Sequence, residues 1–336
     1  MAQVSQPAAS DQLDQRLEDY RGELRAYCYR MLGSMFEAED AVQDTLIRAW
    51  RSYDRFEGRS SLRSWLYRIA TNVCLDMLRS RERRLRPVDL GPAGEPVIEN
   101  LHELPESRWL EPAPDALLAD ADPATVAVAR DSVRLAFIAA LQHLPPRQRA
   151  VLILCEVLQW RAAEVAELLG TTVAGVNSAL QRARSTLDTV RPLPTATTHL
   201  EAADRELLTR YVSAFEAYDI DALTALIHED AVQSMPPYDL WLEGRDNIFT
   251  WWLGPGIGCS GSKVLPVADA NGTAAFGQFK PSPGGGYDPW ALQVVELRDG
   301  LISEFTFFLG TARIFPLFGL PSRLDANGRA MTSPAG

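Results

Sequence analysis

Residues 79–86 of this 336-residue chain read RSRERRLR, so Arg79, Arg81, Arg83, Arg84 and Arg86 set five guanidinium groups within eight positions. On a helix they stand one to two turns apart, a comb suited to a phosphate backbone. Upstream, in AEDAVQDTLIRAW (38–50), Asp40 and Asp44 lie one turn apart, away from a stripe of Val42, Thr45, Leu46, Ala49 and Tyr53. Gln43, Ile47 and Arg51 share their side, a surface fit for a basic partner. In TTVAGVNSALQRARSTL (171–187), Val176, Leu180, Ala183 and Leu187 turn inward. Thr172, Asn177, Ser178, Gln181, Arg182 and Arg184 are left outside; carboxamides suit adenine edges in a major groove and guanidinium groups suit phosphates.

The elements that must position these groups follow from local pattern. FEGRSSL (56–62) is a loop built on Gly58, and Ser60 or Ser61 can cap the helix after it. That helix, from Leu62 into the arginines, is expected to bury Leu62, Trp65, Leu66, Ile69, Val73 and Met77, leaving Arg63, Arg68, Asn72 and Arg79 outside. Residues 87–123 hold seven prolines and no helical period, which predicts an extended or disordered linker. SVRLAFIAALQHL ends at Pro145–Pro146, RQRAVLILCEVL follows, and RAAEVAELLG turns at Gly170 into a Thr-capped helix, a helix-turn-helix pattern. RPLPTATTH (191–199) is a second linker. Beyond it, ELLTRYVSAFEAYDIDALTALI reads as two helices. Strand-like runs SKVLPVA, TAAFGQF, PWALQVVELR and LISEFTFFLG come later, with turns at Asn271–Gly272, Pro283–Gly286 and Asp299–Gly300. The fold class is therefore multidomain: two all-α domains, the second with the helix-turn-helix, and a C-terminal α+β domain.

The net charge of −11 is unevenly distributed. Residues 1–86 carry +2, 87–123 carry −8, 124–199 carry +3 and 200–336 carry −8. Screening confines each field to roughly 8 Å at physiological salt, so local patches govern phosphate contact. No run approaches the ~18 apolar residues of a membrane span, and the first 15 residues lack the order of a signal peptide. Cys28, Cys74, Cys155 and Cys259 have no metal or redox spacing and read as reduced thiols, which predicts a cytoplasmic protein without metal or cofactor.

Together, AEDAVQDTLIRAW, FEGRSSLRSWLYRIATNVCLDMLRSRERR and LPPRQRAVLILCEVLQWRAAEVAELLGTTVAGVNSALQRARSTL resemble the extracytoplasmic-function sigma factors of bacterial RNA polymerase. The C-terminal part resembles the SnoaL-like, nuclear-transport-factor-like cone fold, and the whole resembles the actinobacterial subgroup in which the two are fused. The resemblance implies a sigma domain over 10–86 that binds core polymerase and the minus-ten element. It implies an acidic proline-rich linker over 87–129, a helix-turn-helix domain for the minus-thirty-five element over 130–190, and a SnoaL-like regulatory domain over 200–325. Implied partners are core RNA polymerase, through the β′ clamp helices and the β flap, and promoter DNA.

By that likeness Asp40, Gln43, Asp44 and Ile47 meet the clamp helices. Gly58, Ser60 and Ser61 accept an unstacked base, and Arg63, Arg68, Asn72, Arg79, Arg83 and Arg84 hold the minus-ten strand. Thr172, Asn177, Ser178, Gln181, Arg182 and Arg184 read the minus-thirty-five element; many relatives carry basic residues at the positions of Asn177 and Ala179, and this chain does not. The acidic linker would thread the RNA path and mimic phosphates, or serve as a solvated tether. In the cone, His228, Tyr238, Trp241, Trp252 and Trp290 are candidate pocket residues for a small-molecule ligand, and Asp230 could pair with His228. The apolar tail ARIFPLFGLPSRL (312–324) is expected to seal the cone, the alternative being a bridge to the sigma domains. The expected function is promoter-specific transcription initiation, modulated in cis by the last domain. The alternative is an isomerase- or hydrolase-like enzyme, or a small-molecule binder, of the cone fold on a DNA-binding scaffold.

Overall fold

The computed structural model describes residues 9–58, 60–79, 82–118, 132, 134–189 and 201–331. Two compact units result: residues up to Arg83 with Leu117–Pro192, and Arg84–Ala116 with Leu193–Gly336.

The first unit is helical. Helices α1 (Ala9–Glu18), α2 (Arg21–Leu32), α3 (Met35–Ser52) and α4 (Leu62–Leu78) form its first half. Gly33 takes the left-handed conformation that ends α2. Ser34 then caps α3 by accepting a hydrogen bond from the Glu37 backbone N–H at 3.2 Å. The expected stripe of α3 is buried at Val42, Thr45, Leu46 and Ala49. On α4 the buried stripe is Leu66, Tyr67, Ala70, Thr71, Val73 and Cys74, whereas Leu62, Trp65, Ile69 and Met77 are half-buried. Polar and small residues cause this rotation. Tyr27 of α2 bonds Thr71 through their hydroxyls at 2.8 Å, and its ring lies 5.1 Å from Tyr67. Trp65 packs on Phe56 at 4.9 Å, at the rim and not in the core.

A short helix α5 (Asp115–Leu118) begins in the second unit and ends in the first; the other half of the first unit holds α6 (Leu135–Gln142), α7 (Pro146–Leu152) with a wider π turn over Ile153–Val157, α8 (Ala162–Leu169) and α9 (Val173–Thr189). Gly170 is left-handed between α8 and α9, and Thr172 Oγ1 accepts from the Gly175 N–H at 3.0 Å, so the helix-turn-helix is capped as expected. The two halves pack on each other. Arg149, 3% exposed, donates to the Met31 carbonyl of α2 and to the side chain and carbonyl of Gln142. Burial pulls its guanidinium down to about 9, still protonated at neutral pH.

The second unit is a six-stranded sheet, β1 (Ile227–Ser234), β2 (Trp241–Glu243), β3 (Lys263–Pro266), β4 (Ala274–Pro281), β5 (Tyr287–Arg298) and β6 (Leu301–Phe308), in the order β2-β1-β6-β5-β4-β3. Only the β1–β6 pair is parallel. Helices α10 (Ala202–Ala217), α11 (Ile220–Thr224) and α12 (Arg245–Leu253) complete the core through Tyr211, Phe215, Leu223 and Trp252. Asn271–Gly272 and Asp299–Gly300 all have positive φ, as tight hairpin turns demand. The tail forms α13 (Thr311–Leu317), whose Phe315 packs on Phe279 at 5.2 Å. Leu320 sits where a Cβ on Gly277 would lie. Because Phe276 faces Tyr211, the alternation of the strand puts Gly277 on the other side. The tail therefore covers the sheet face opposite α10 and does not close the cone's interior.

Over its first part the expected extended or disordered linker is extended, and it is bound to a domain where a solvated tether was the alternative. Residues 84–116 belong to the second unit and cross it as a strap. The strap bonds to and beside edge strand β2: Gly94 N–H to Trp241 O at 2.9 Å, Leu104 N–H to Pro237 O at 3.0 Å. At its far end Ala113 N–H meets Asn271 Oδ1 at 2.8 Å and Asp115 N–H meets Asp269 O at 3.0 Å. Prolines deny it a helix, but Leu85, Trp109, Leu110 and Ala113 are buried and anchor it. Residues 119–131 and 190–200, which carry nearly all the rest of the two expected linkers, lie outside the described residues, as does Arg81.

Candidate polymerase and nucleic-acid interfaces

The outer face of α3 is open. Asp40 and Gln43 are exposed, Asp44 is half-exposed, and Ile47 is 41% exposed. Asp44 pairs with Arg48 one turn on, at 2.7 Å, and Arg48 lies 3.9 Å from Asp76 of α4. Such an exposed pair is weak and exchangeable for an outside cation. Sequence reasoning missed Trp50, which is 56% exposed; its place three residues after Ile47 was the available signal. An aromatic and a branched aliphatic in water beside carboxylates form an apolar anchor with a charged rim, the anatomy of a protein-docking site.

The face of α4 is partly occupied. Gly58 has φ +68°, and among the described residues other than its chain neighbours no atom lies within 4 Å of where a Cβ on it would stand, so its backbone is approachable. Ser60 is half-buried, and Ser61 caps α4 by accepting from the Ser64 N–H at 3.0 Å. Arg63 donates to Glu23 at 2.7 Å and lies over the rings of Tyr67 and Trp160. Arg68 approaches Glu167 at 3.7 Å. Asn72 is exposed, Arg79 is exposed beside Asp76 at 3.3 Å, and Arg83 contacts His143 Nδ1 at 3.0 Å.

The arginine comb is corrected. The helix ends at Leu78, so Arg84 and Arg86 are not on it. Arg84, 7% exposed, donates to the Trp109 carbonyl of the strap, and Arg86 pairs with Asp89 at 3.4 Å. Both guanidinium groups are engaged inside the second unit.

On α9, Thr172, Asn177, Ser178, Gln181, Arg182 and Arg184 are all exposed along one helix. Arg182 donates to Ser178 at 2.9 Å, and Arg184 pairs with Glu156 at 2.6 Å, so each has a local partner to exchange for a phosphate.

In the second unit, a narrow apolar cavity is lined by Phe215, Tyr218, Trp251, Trp252, Trp290 and Phe307, with Gln233, Gln278 and Cys259 as its polar members. Trp252 and Trp290 are there as expected; the other candidates are not. His228 and Asp230 do pair, but they bind each other and Arg298 away from the cavity. Tyr238 faces Glu103 of the strap, and Trp241 Nε1 donates to Gly91 O at 3.0 Å. Inside, Trp252 Nε1 donates to Gln233 at 2.6 Å, and Tyr211, Gln293, Gln278 and Ser262 form a chain of bonds from 2.8 to 3.0 Å. Burial pushes the Cys259 thiol up. The lining holds no carboxylate, imidazole or amine to act as a general acid or base.

Three family models match in order: sigma-70 region 2 at residues 17–84, sigma-70 region 4 at 134–187, and a SnoaL-like domain at 208–305. The ECF RNA polymerase sigma factor SigG of Mycobacterium tuberculosis is 49% identical over 91% of this chain and 83% of its own length. The chain belongs to the ECF RNA polymerase sigma factors. SigJ of Mycobacterium tuberculosis is 31% identical over 63% of this sigma factor and 61% of itself. The crystal structure of SigJ covers 91% of this sigma factor and 99% of its own chain with a TM-score of 0.58 at 24% identity, which supports the shared fold. As a sigma factor, the chain binds core RNA polymerase and promoter DNA through its region 2 and region 4 halves. Among the described residues, no helix is long and apolar enough to cross a membrane, and no cluster of His, Cys, Asp and Glu could hold a metal.

Proposed function

We propose that this sigma factor docks on the β′ clamp helices of cytoplasmic core polymerase through Asp40, Gln43, Asp44 and Ile47, with Trp50 as a second apolar anchor. Region 4 meets the β flap. Gly58, Ser60 and Ser61 take an unstacked base of the minus-ten strand, and Arg63, Arg68, Asn72, Arg79 and Arg83 hold that strand. Thr172, Asn177, Ser178, Gln181, Arg182 and Arg184 read the minus-thirty-five duplex. The observation that carries the reading is the bare α3 face, where Ile47 and Trp50 stand in water next to unburied carboxylates. Run-off transcription with core polymerase and genomic fragments tests it: discrete promoter-specific transcripts that require this chain are expected, and none above core alone would refute it.

The C-terminal domain modulates initiation in cis by holding residues 84–116. Those residues join region 2 to region 4, so whatever grips them sets how the two DNA-reading halves are tethered. A small apolar ligand in the aromatic cavity would shift this grip if it bound the held and released states unequally. The ionisable groups of that lining are the Tyr218 phenol and the Cys259 thiol, and burial pushes both up so that they stay protonated at neutral pH, which favours binding over turnover.

A further inference from the structure

The aromatic cavity of the C-terminal domain holds an amide that is only half used. Gln233 of β1 is 1% exposed and lines the cavity. Trp252 Nε1 can only donate, so the atom it meets at 2.6 Å is the Gln233 carboxamide oxygen. That bond fixes the orientation of the amide and leaves Nε2 to the cavity, without an acceptor among the described residues. The neighbouring polar groups are already engaged. Tyr211 gives its hydroxyl proton to Gln293, Gln293 donates to Gln278, and Gln278 donates to Ser262. Tyr218 donates to Trp252 O at 2.7 Å, and the Cys259 sulfur lies beside N–H groups of Gln278 and Trp290. The side-chain acceptors of the lining therefore face donors, while one amide N–H stands idle. A buried N–H without an acceptor is unfavourable, so the site suits a molecule that brings one.

Space sets a second condition. The cavity is about 30 Å³, room for water and not for a ring. Its movable wall is Trp290, which is 37% exposed. In the β4–β5 ladder Pro289 pairs with Phe279 and Ala291 with Gln278, so Trp290 between them is a bulge residue with no strand partner. Bulges re-aim side chains beside binding sites. The indole is held by the Lys280 ammonium, 3.6 Å from its ring centroid, a contact weak enough to exchange for water.

We propose that this cavity binds a neutral, flat aryl ketone or aldehyde, whose carbonyl oxygen accepts from Gln233 Nε2 while its ring takes the place of the Trp290 indole. Six aromatic side chains line the site and its thiol and phenol stay protonated, so a carboxylate or an ammonium would enter without a counter-ion. An alcohol or a phenol would bury a hydroxyl proton among acceptors already taken. The assignment deepens the proposed function and rests on it only in treating the cavity as a ligand site.

The test is calorimetric titration of the full chain with three probes of one shape. 2-Acetylnaphthalene only accepts, 2-isopropenylnaphthalene neither accepts nor donates, and 1-(2-naphthyl)ethanol does both. The ketone should bind about tenfold tighter than either of the others. Gln233→Leu should bring ketone and alkene to equal affinity. Because Gln233 is buried and its replacement can disturb folding, Trp290→Ala is the second variant. It should keep the preference for the ketone and speed its association about tenfold, read by stopped-flow fluorescence. Equal affinity for the three probes in the wild type would overturn the assignment of the carbonyl to Gln233. Binding of none of them to the wild type or to Trp290→Ala would leave a water site only and overturn the proposal entirely. Hydrogen exchange at residues 104–110 separates this from control of the strap: ketone bound with exchange unchanged would remove that control and leave the binding site standing.

Discussion

Helices α3 and α4 sit side by side in one unit, and each turns a polar face outward, yet their situations differ. The face of α3 is bare, with Ile47 and Trp50 in water. The face of α4 is engaged: Arg63 by Glu23 and Trp160, Arg68 by Glu167. Guanidinium groups beside aromatic faces attract polyanions without sequence preference, and the carboxylates of Glu23 and Glu167 lower that attraction.

Variants can break or sharpen this contrast. The largest effect is expected from Arg149→Met, which leaves the Met31, Gln142 and Leu144 carbonyls without their donor and removes the buried joint between the halves. A loss of about 3–5 kcal/mol in stability is expected, read by denaturant unfolding. A loss under about 1 kcal/mol would mean that the halves are held chiefly elsewhere.

Asp44→Arg acts on the open face. It places a like charge against a basic partner and should weaken core binding by roughly a hundredfold or more. Since Asp44 is half-exposed and pairs only with its helical neighbour Arg48 among the described contacts, melting should shift by no more than about 0.5 kcal/mol equivalent. Unchanged affinity in a pull-down titration would remove the functional meaning of the contrast.

Asn177→Ala deletes one carboxamide from the exposed face of α9. A loss of about 1–3 kcal/mol at one position of the minus-thirty-five element is expected, read by run-off on single-base promoter variants. A uniform loss at all positions would make Asn177 a backbone contact. The smallest effect belongs to Glu106→Gln, which breaks an exposed pair with Arg313 at 2.8 Å. Strap stability should fall by at most about 1 kcal/mol, seen as faster hydrogen exchange at residues 104–110.

Much of the first unit was legible in the sequence because its signals are local. Caps at Ser61 and Thr172 and the turn at Gly170 declare helix ends wherever the helices pack. The face of α4 was less legible. Counting aliphatic residues places the stripe on Leu62 and Ile69, whereas Tyr67, Thr71 and Cys74 bury because α2 offers them a hydroxyl and a ring. In the second unit, β1 reads IHEDAVQS and β2 has three residues, so neither shows an alternating run. With the β2 edge unseen, nothing marked 84–116 as a strap, and its prolines and carboxylates imitated a tether. Arg84 followed the same error: a guanidinium in a basic run looks like a phosphate ligand until the carbonyl it caps is known. The cavity candidates mixed residues of the lining with residues bound elsewhere, because histidine, tyrosine and tryptophan types carry no information about which side chains converge.

The most direct test places a photo-crosslinking amino acid at Ile47 of the full chain and mixes it with core polymerase in the absence of promoter. Docking through α3 predicts a crosslink to the β′ subunit that Asp44→Arg abolishes. Equal crosslinking with the reversal present, or none to any core subunit while the complex still transcribes, would contradict it.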